Sequence, residues 1–405
     1  MKHIDYKMDK SRSYNFSQTS LTAEFTIPYR YEIHFTKDLF DLNNRLISNF
    51  FSEQKLTKVQ IPKIVFMVDQ GVSDHHPDLV SRIRTHFTGI PHVSLIDKIY
   101  IFPGGELIKN NRDVQEDILQ AIDRHGIDRH SYVAAIGGGA FLDAVGYASA
   151  ISHRGVRHIR IPTTVLSQND SGIGVKNGIN YFNKKNYLGS FTPPEAVWND
   201  VTFLQTLSDR DKRAGLSEAV KVALIKDHTF FHWIEQHATS LKEFEEEALQ
   251  ESIVQCARLH LHHITTNGDP FEKGSARPLD FGHWAAHKLE DLTGYEIRHG
   301  EAVAVGIVVD TIYSNLMGYI DHESTERIRN LFENLGFGPS FEYLHRFESE
   351  KILKGLEEFR EHLGGQLSVT LLNSIGHGFE VHEIDTDRMK KALQMVTQFA
   401  SYHEN

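Results

Sequence analysis

Hydrophobic and polar positions in the first half of the chain predict strands that alternate with helices. Three continuous apolar segments have the length and composition of buried strands in a parallel sheet. They are Lys63–Asp69, Tyr132–Ile136 and Val156–Ile161. Apolar residues recur at helical spacing over Asp113–His125, and Gly126 follows as a stop signal. Strand alternating with helix predicts a doubly wound parallel sheet.

The N-terminal segment has a different pattern. Residues 1 to about 20 are polar and aperiodic, which predicts a mobile arm. Thr22–Phe35 then alternates apolar and polar residues, as half-buried strands do.

After about residue 207 the apolar residues follow helical spacing almost throughout. The predicted helices are Ala214–Lys226, Phe230–His237, Lys242–His263, His283–Leu292, Ala302–Leu316 and Ser324–Leu335. We therefore expect an α/β domain over residues 21–206 and a mainly helical domain over residues 207–405, after the arm of residues 1–20.

Composition narrows the class of protein. A chain of 405 residues suits two domains. The net charge of −11 disfavours non-specific binding to nucleic acid or to an anionic membrane, and no apolar run reaches the ~20 residues of a membrane helix. The single cysteine, Cys256, and the lack of a secretory signal pattern predict a cytoplasmic protein.

Three separated residues form a candidate ligand set for a catalytic metal. Glu218, His283 and His299 offer one carboxylate and two imidazoles, which leave an open position on a tetrahedral zinc ion. Each has a structural alternative. Glu218 could pair with Lys221 one turn later, His283 could share a helix face with His287 without a ligand, and His299 could begin a helix. Because the chain has 25 histidines, one histidine alone is weak evidence.

A glycine turn is the candidate dinucleotide motif. Gly137–Gly139 follows a predicted strand and precedes a predicted helix, which is the geometry that presents backbone N–H groups to a pyrophosphate. The third glycine of the usual fingerprint is absent, so a structural turn is the alternative. Asp69 could bind a ribose hydroxyl or cap a helix. Gly105–Lys109 adds an acid and a lysine, or is a solvated turn.

A polar segment between residues 170 and 186 is the candidate phosphate site. Its glycines remove steric bulk, while Lys176, Lys185 and Asn186 supply hydrogen-bond donors. The alternative is a polar loop with solvated lysines.

In their order and separations, these motifs resemble the sugar phosphate cyclase superfamily, whose best-known member is 3-dehydroquinate synthase. The resemblance runs from about Asp69 to near the C-terminus. The matching motifs are Gly105-Glu-x-x-Lys109, Gly137-Gly-Gly-x-x-x-Asp143, Pro162-Thr-Thr164, Asp170, Lys176, Lys185-Asn186, Glu218-x-x-Lys221, His283-x-x-x-His287 and His299-Gly.

The resemblance implies a fold and a set of cofactors. The expected fold is an α/β N-terminal domain with a Rossmann-like parallel sheet and a mainly α-helical C-terminal domain. Such proteins bind NAD in the first domain and Zn²⁺ (or Co²⁺) in the second, with the active site between them, and the resemblance also implies a homodimer. The metal ligands would be Glu218, His283 and His299. The NAD site would comprise Asp69, Glu106, Lys109, Gly138, Gly139, Asp143, Thr163, Thr164, Asp170, Lys185 and Thr206.

The resemblance further implies a reaction and its substrate-binding residues. NAD⁺ would transiently oxidise a ring alcohol, phosphate would leave by β-elimination, and reduction, ring opening and an intramolecular aldol step would close a carbocycle. The substrate site would comprise Asp170, Lys176, Lys185, Asn186, Lys221, Arg277, Asp280, His287, His362 and Arg154, the last from a neighbouring subunit.

Departures from the family pattern bear on the substrate. Asp280 stands where the family has asparagine, and His262 and His362 stand where it has lysines. Arg277 lies near, but not at, the family's arginine spacing. Fewer cations and one more anion disfavour a substrate carboxylate, whereas an aspartate accepts hydrogen bonds from a neutral hydroxymethyl group.

These departures favour one branch of the superfamily. Gly268–Glu272, Gly274–Trp284 and Val175–Asn180 look like sedoheptulose 7-phosphate cyclases, especially 2-epi-5-epi-valiolone synthases. The preferred hypothesis is a cyclase that converts this seven-carbon sugar phosphate to a valiolone-type cyclitol. The alternatives are a 3-dehydroquinate synthase acting on the heptulosonate 7-phosphate, a metal-dependent polyol dehydrogenase and a non-catalytic binding protein.

Overall fold

The computed structural model describes residues 20, 23–54, 61–182, 184–266, 271, 278–362 and 364–400. The chain forms two compact units, Met1–Arg30 and Tyr31–Asn405. The predicted arm of residues 1–20 lies outside the described residues except for Ser20, and residues 23–30 are exposed and without regular secondary structure.

The second unit contains the strands and helices of the described chain. The strands are β1 (Glu32–Thr36), β2 (Lys63–Asp69), β3 (Ser94–Leu95), β4 (Tyr100–Phe102), β5 (Tyr132–Gly137), β6 (Arg157–Pro162), β7 (Lys176–Tyr181), β8 (Lys184–Phe191), β9 (Ala196–Asp200), β10 (Val369–Ser374) and β11 (His377–Val381). The helices are α1 (Leu46–Glu53), α2 (Gln70–His75), α3 (Leu79–Phe87), α4 (Leu107–Asn110), α5 (Arg112–Arg124), α6 (Gly139–Ile151), α7 (Asp209–Lys226), α8 (His228–Gln236), α9 (Ala238–Lys242), α10 (Glu246–Thr266), α11 (His283–Leu292), α12 (His299–Leu316), α13 (His322–Asn334), α14 (Gly338–Phe341), α15 (Ser349–His362) and α16 (Thr386–Ala400). Short 3₁₀ helices at Ser152–Arg154, Val201–Thr206, Pro278–Asp280 and Glu342–Arg346 and a π-helical turn at Ser167–Ser171 complete the set.

Seven of the described strands form one parallel sheet. Its order is β1-β9-β6-β5-β2-β3, and β4 also pairs with β2. Side chains of β2 alternate between two cores, with Phe66 and Val68 on one face and Val65 and Met67 on the other. Because both faces are covered, the central strands are apolar at nearly every position. The predicted parallel α/β sheet is confirmed.

The region after the sheet is mainly helical, as predicted. It is built around α12, in which the residues from Gly300 to Ser314 are all buried. Helix α7 begins five residues before the predicted Ala214, because Ser208 accepts a hydrogen bond from the backbone N–H of Asp211 and caps the helix. The predicted helix Lys242–His263 corresponds to α10, which begins only at Glu246, since Phe244 has a φ of 57° between α9 and α10.

Two predicted features differ in detail. In the segment Thr22–Phe35, which was predicted to form strands, only the residues from Glu32 onward do so, as part of β1. The alternative of a polar loop between residues 170 and 186 is wrong for its second half, because β7 and β8 form an antiparallel hairpin that packs on α6. A second hairpin, β10–β11, lies within the mainly helical region.

The division of the chain at residue 206 stays a prediction. It falls at the end of the 3₁₀ helix Val201–Thr206, and both sides of it belong to the compact unit Tyr31–Asn405. None of the helices in the described part of the chain is long and apolar enough to cross a membrane.

Candidate metal and nucleotide site

The three predicted metal ligands come together from three helices. Glu218 lies in the middle of α7, and His283 and His299 are the first residues of α11 and α12. One ligand atom from each lies within 4.8 Å of the other two. Their convergence follows from the packing of α12 against both α7 and α11.

The environment of Glu218 fits a bound cation. The carboxylate is 1% exposed, and neither oxygen takes part in a hydrogen bond of normal geometry with the described residues. Lys221 forms an ion pair with it one turn later, so the structural alternative for this residue is also present. Burial raises the pKa of Glu218, although the positive charge of Lys221 opposes that rise.

The imidazole of His283 also fits a metal ligand. Burial and the nearby charge of Lys221 hold the pKa of His283 well below its ordinary value, so the ring is neutral. Its Nδ1 donates to the carbonyl oxygen of Phe281 at 3.1 Å, which leaves Nε2 free to coordinate. A buried carboxylate with unused oxygens beside a neutral imidazole is the donor set that a divalent metal requires.

Glu290 connects this cluster to the hairpin. Its two carboxylate oxygens accept hydrogen bonds from His299 Nδ1 at 3.2 Å and from Lys185 Nζ at 3.0 Å. Burial alone would raise the pKa of Glu290, but His299 and Lys185 outweigh burial and hold it well below its ordinary value. A carboxylate that fixes the second nitrogen of a metal-binding histidine is a common outer-shell partner. Glu290 also forms a second close group with His287 and His299, within 4.8 Å.

Two acids face Lys221 from other elements. Burial lowers the pKa of Lys221, but the charges of Glu218, Asp170 and Asp280 outweigh burial and raise it above its ordinary value. Asp170 lies in the π-helical turn, and its Oδ1 accepts a hydrogen bond from His260 Nδ1 at 2.8 Å. The ammonium group of Lys221 is therefore charged and lies among carboxylates.

A second group of predicted residues forms a network beside the hairpin. The ammonium group of Lys109 is buried and donates to Asp143 Oδ2 at 2.6 Å and to Asn186 Oδ1 at 2.8 Å. Asn180 donates to Glu106 Oε1 at 2.9 Å and accepts from the backbone N–H of Asn186 at 2.8 Å. The alternative of a solvated turn at Lys109 is wrong, because that side chain is 5% exposed.

The glycine turn lies at the carboxyl edge of the sheet, directly after β5. A Cβ on Gly139 would lie 2.4 Å from Ser171 Oγ, so a side chain there would displace the Ser171 hydroxyl. Gly138 is the N-cap of α6 and offers no side chain there. Thr163 and Thr164 follow β6 at the same edge, where ligands of open α/β sheets bind.

Four other predicted residues are placed by the structure as follows. Asp69 follows the capping alternative, since its Oδ1 accepts from the backbone N–H of Gly71 at 2.8 Å. Thr206 Oγ1 bonds to His76 at 2.9 Å, and Lys176 is exposed at the start of β7. Arg154 has a φ of 62° and lies beyond the C-terminal end of α6, whereas the glycine turn is at the other end of that helix.

Two predicted residues cannot be placed. Arg277 lies outside the described residues. His362 is the last residue of α15, and its side chain is outside the described part of the structure.

Glu290 and His260 were not among the site residues predicted from the sequence. A signal for Glu290 was present, because His283, His287 and Glu290 recur at the spacing of one helix face. No signal singled out His260 among the chain's 25 histidines, since its partner Asp170 lies on a distant segment.

The chain is similar in sequence to 3-dehydroquinate synthases. The family model described as 3-dehydroquinate synthase N-terminal matches residues 99–214, and the model described as 3-dehydroquinate synthase C-terminal matches residues 215–358. The chain is 35% identical to the 3-dehydroquinate synthase of Acinetobacter baylyi over 297 residues, which cover 73% of this chain and 80% of that protein. It is 31% identical to the 3-dehydroquinate synthase of Thermodesulfovibrio yellowstonii over 296 residues, 73% of this chain and 81% of that protein.

Two solved structures share the fold. One is 2-epi-5-epi-valiolone synthase from Streptomyces hygroscopicus with NAD⁺ and Zn²⁺ bound, with a TM-score of 0.80 and 24% identity, covering 94% of this chain and 100% of that one. The other is 2-deoxy-scyllo-inosose synthase complexed with carbaglucose-6-phosphate, NAD⁺ and Co²⁺, with a TM-score of 0.73 and 21% identity, covering 90% of this chain and 96% of that one.

Proposed function

Because the chain belongs to the 3-dehydroquinate synthase family, we propose that it is an NAD- and metal-dependent cyclase that acts on sedoheptulose 7-phosphate. The products would be phosphate and a valiolone-type cyclitol. As in the valiolone and inosose synthases of similar fold, the cofactors would be NAD⁺ and Zn²⁺ or Co²⁺.

The metal would be held by Glu218, His283 and His299, whose ligand atoms already lie within 4.8 Å of one another. When bound, a divalent metal supplies Lewis-acid polarisation of a substrate hydroxyl. Glu290 orients His299, and the buried cation of Lys221 balances the negative charge of Glu218 and Asp170. The metal would therefore meet the neutral imidazole of His283 and the carboxylate of Glu218, with the charged side chains of Lys221 and Asp170 close by.

NAD would lie along the carboxyl edge of the sheet, with its pyrophosphate at the N-terminus of α6. Bound NAD⁺ supplies a reversible hydride acceptor. Gly138 and Gly139 leave room for close approach, and the network of Glu106, Lys109 and Asp143 offers donors and acceptors beside them. The remaining members of the proposed NAD site are Asp69, Thr163, Thr164, Asp170, Lys185 and Thr206.

The leaving phosphate would be held by cations and amides from both parts of the chain. The proposed set is Lys176, Lys185, Asn186, Lys221, Arg277, His287 and His362, with Arg154 supplied by a second subunit of a homodimer. Lys185 is fixed by its bond to Glu290, so it reaches the phosphate from a set position. We place the enzyme in the cytoplasm, in line with its single, buried and unpaired cysteine.

The observation that carries the choice of substrate is the charge of Asp280. The negative charge of this carboxylate helps to raise the pKa of Lys221. Because Lys221 lies one helical turn after Glu218, Asp280 lies near the proposed metal ligands. An anion there repels a substrate carboxylate, and ~1.4 kcal/mol of repulsion costs tenfold in affinity. A neutral ketose phosphate avoids that cost, and its hydroxymethyl group can donate to the aspartate.

A second candidate is 3-dehydroquinate synthase itself. It is favoured by the curated relatives, which carry that activity at 31 to 35% identity in the two proteins compared above. Its substrate would be the heptulosonate 7-phosphate.

The deciding experiment is an assay of the purified protein with NAD⁺, Zn²⁺ or Co²⁺, and each seven-carbon phosphate in turn. We expect phosphate release from sedoheptulose 7-phosphate, no net NADH, and a cyclitol identified by NMR. Release from the heptulosonate alone would select 3-dehydroquinate synthase, and net NADH would select a polyol dehydrogenase. Failure to retain metal, with no release, would favour a binding protein.

A further inference from the structure

A buried carboxylate on α12 holds the segment that carries one of the proposed metal ligands. Asp310 lies about three helical turns after His299 on the same helix, so the two residues share one side of it. Asp310 is fully buried. Its Oδ1 accepts from Trp284 Nε1 at 2.8 Å, and its Oδ2 accepts from the backbone N–H of Gly282 at 3.1 Å. These two donors lie immediately before and after His283.

The backbone around Gly282 leaves little freedom. Gly282 has a φ of 78°, which favours glycine, and a Cβ there would lie 2.7 Å from the backbone nitrogen of Ile307. A Cβ on Gly306 would lie 2.0 Å from the carbonyl oxygen of Gly282. The turn before α11 therefore rests directly on the backbone of α12, and Asp310 bonds it from the same helix.

Asp310 also bonds the N-cap residue of α11. Gly282 is that N-cap, and its backbone N–H donates to Asp310 Oδ2 at 3.1 Å. The carboxyl group of Asp310 therefore holds the start of the helix at which His283 begins.

We propose that Asp310 is a positioning residue of the metal site, which holds Gly282 and Trp284 so that the imidazole of His283 faces Glu218 and His299. His283 has one further bond that fixes its ring, from Nδ1 to the carbonyl oxygen of Phe281, and Phe281 directly precedes Gly282. The two bonds that Asp310 accepts from Gly282 and Trp284 form a clamp on this segment. Loss of the clamp would free both the ring of His283 and the backbone that orients it. This inference rests on the proposed metal site and adds a residue to it that does not touch the metal.

Metal affinity is the measurement that tests the proposal. Asp310→Asn keeps the shape of the side chain but turns an amide NH₂ toward one of the two donors. Outer-shell substitutions of this kind cost about tenfold to 100-fold in metal affinity. We expect Asp310→Asn to weaken Zn²⁺ binding by at least about tenfold, measured on the full chain by competition with a chromophoric chelator.

Thr311→Val is the matched control. Thr311 is the next residue of α12, equally buried, and its hydroxyl donates to the carbonyl oxygen of Ile307 one turn earlier. Its substitution removes a buried hydrogen bond but leaves the clamp intact, so its Zn²⁺ affinity should match that of the wild type. Equal Zn²⁺ affinity in Asp310→Asn, Thr311→Val and the wild type would overturn the proposal.

A second variant decides the matter if Asp310→Asn does not fold. Trp284→Phe removes one of the two clamping bonds and keeps the carboxylate, so its Zn²⁺ affinity should fall by a smaller factor. An unchanged affinity in that variant would refute the clamp.

His283→Ala separates this inference from the proposed metal site. If the wild type binds Zn²⁺ no better than His283→Ala, the proposed metal site itself is wrong. If the wild type binds Zn²⁺ better than His283→Ala but Asp310→Asn binds it as well as the wild type does, only the role of Asp310 is refuted.

Discussion

At the scale of single residues, the carboxylate of Asp280 has the clearest consequence for substrate choice. Its negative charge contributes to the raised pKa of Lys221, so it lies near the proposed substrate site. The effect is electrostatic, and an uncharged side chain of the same shape should remove it.

Asp280→Asn should therefore change the preference between the two seven-carbon phosphates. We expect the ratio of kcat/KM for sedoheptulose 7-phosphate to that for the heptulosonate to fall about tenfold, the effect of ~1.4 kcal/mol. Steady-state phosphate release on both substrates measures it. Asp209→Asn, at an exposed carboxylate in the first turn of α7, should leave the ratio unchanged. A ratio equally unchanged in Asp280→Asn would show that this carboxylate does not select the substrate.

Glu290 is the second residue with a specific expectation, because one carboxylate serves both Lys185 and His299. In Glu290→Gln the amide NH₂ faces a donor on one side, so one of the two bonds is lost. We expect metal affinity to fall about tenfold to 100-fold and KM for the sugar phosphate to rise. Chelator competition and steady-state kinetics measure these two effects.

The adjacent Asp291 supplies the control for that prediction. It is exposed on the same helix and pairs with Lys288, so Asp291→Asn should change neither quantity. If Glu290→Gln and Asp291→Asn give the same metal affinity and the same KM, the bonds of Glu290 to Lys185 and His299 do not contribute to function.

At the scale of elements, one buried arginine fixes the segment between the π-helical turn and β7. Arg160 is fully buried in the middle of β6. Nη1 donates to the carbonyl oxygens of Gly172 and Gly174, and Nη2 donates to those of Lys176 and the side chain of Asn177, at 2.6 to 3.1 Å. The segment that joins Asp170 to Lys176 is therefore shaped around one guanidinium group.

Arg160→Met should loosen this segment and leave buried carbonyl groups unpaired. We expect the free energy of unfolding to fall by about 3 kcal/mol, since each unsatisfied buried group costs about 1–3 kcal/mol. KM for the sugar phosphate should rise more than kcat falls, because the change acts on binding residues. Urea unfolding and steady-state kinetics test both expectations. Arg157→Met, at the start of the same strand and bonded to the Tyr132 hydroxyl, should have a smaller effect on stability and none on KM.

The sequence could predict the proposed metal ligands but not the hairpin of β7 and β8 beside them. The close group of Glu218, His283 and His299 was predictable because each residue lies within a distinct local motif, and α11 was predicted with its bounds. The β7–β8 hairpin was not, because only scattered apolar residues such as Ile179 and Leu188 mark it and its stability comes from packing on α6. The bond from Lys185 to Glu290 depends on that hairpin and so could not be anticipated.

At the scale of the whole molecule, the proposed metal joins three helices. Because α7, α11 and α12 each contribute one ligand, binding should stabilise the folded state.

We therefore expect a chelator to lower the melting temperature of the wild-type protein. At a Zn²⁺ concentration of about 100 times Kd, binding adds about 2.7 kcal/mol to the free energy of unfolding. Calorimetry with and without Zn²⁺ measures the shift. Glu218→Ala should melt at the same temperature in both conditions, and a Zn²⁺-dependent shift in that variant would place the metal elsewhere.

The stability of the metal-free protein should also depend on pH through Asp310. Burial raises the pKa of Asp310 from 3.8 to about 7, against the opposing effect of its bonds to Trp284 and Gly282. Between these two values the unfolded chain ionises while the folded chain keeps the proton. The contribution of Asp310 to stability therefore falls as pH rises from about 4 to about 7 and is constant above that range.

Comparison with Asp310→Asn isolates this contribution, because the amide does not titrate. Between about pH 5 and about pH 8, the free energy of unfolding of the wild type should fall relative to that variant by about 3 kcal/mol. Urea titrations of metal-free protein at the two pH values give the difference. A constant difference would mean that Asp310 is already ionised throughout this range.

The contact between Gly282 and Gly306 restricts how the proposed metal site can be redesigned. Even an alanine at either position would wedge the two backbones apart, because its methyl group would occupy the place of a main-chain atom. In a library that randomises both positions, selection for zinc retention should return glycine at each. Attempts to adapt the proposed substrate site to larger sugars are therefore better directed at the hairpin of β7 and β8 than at the contact between these two glycines.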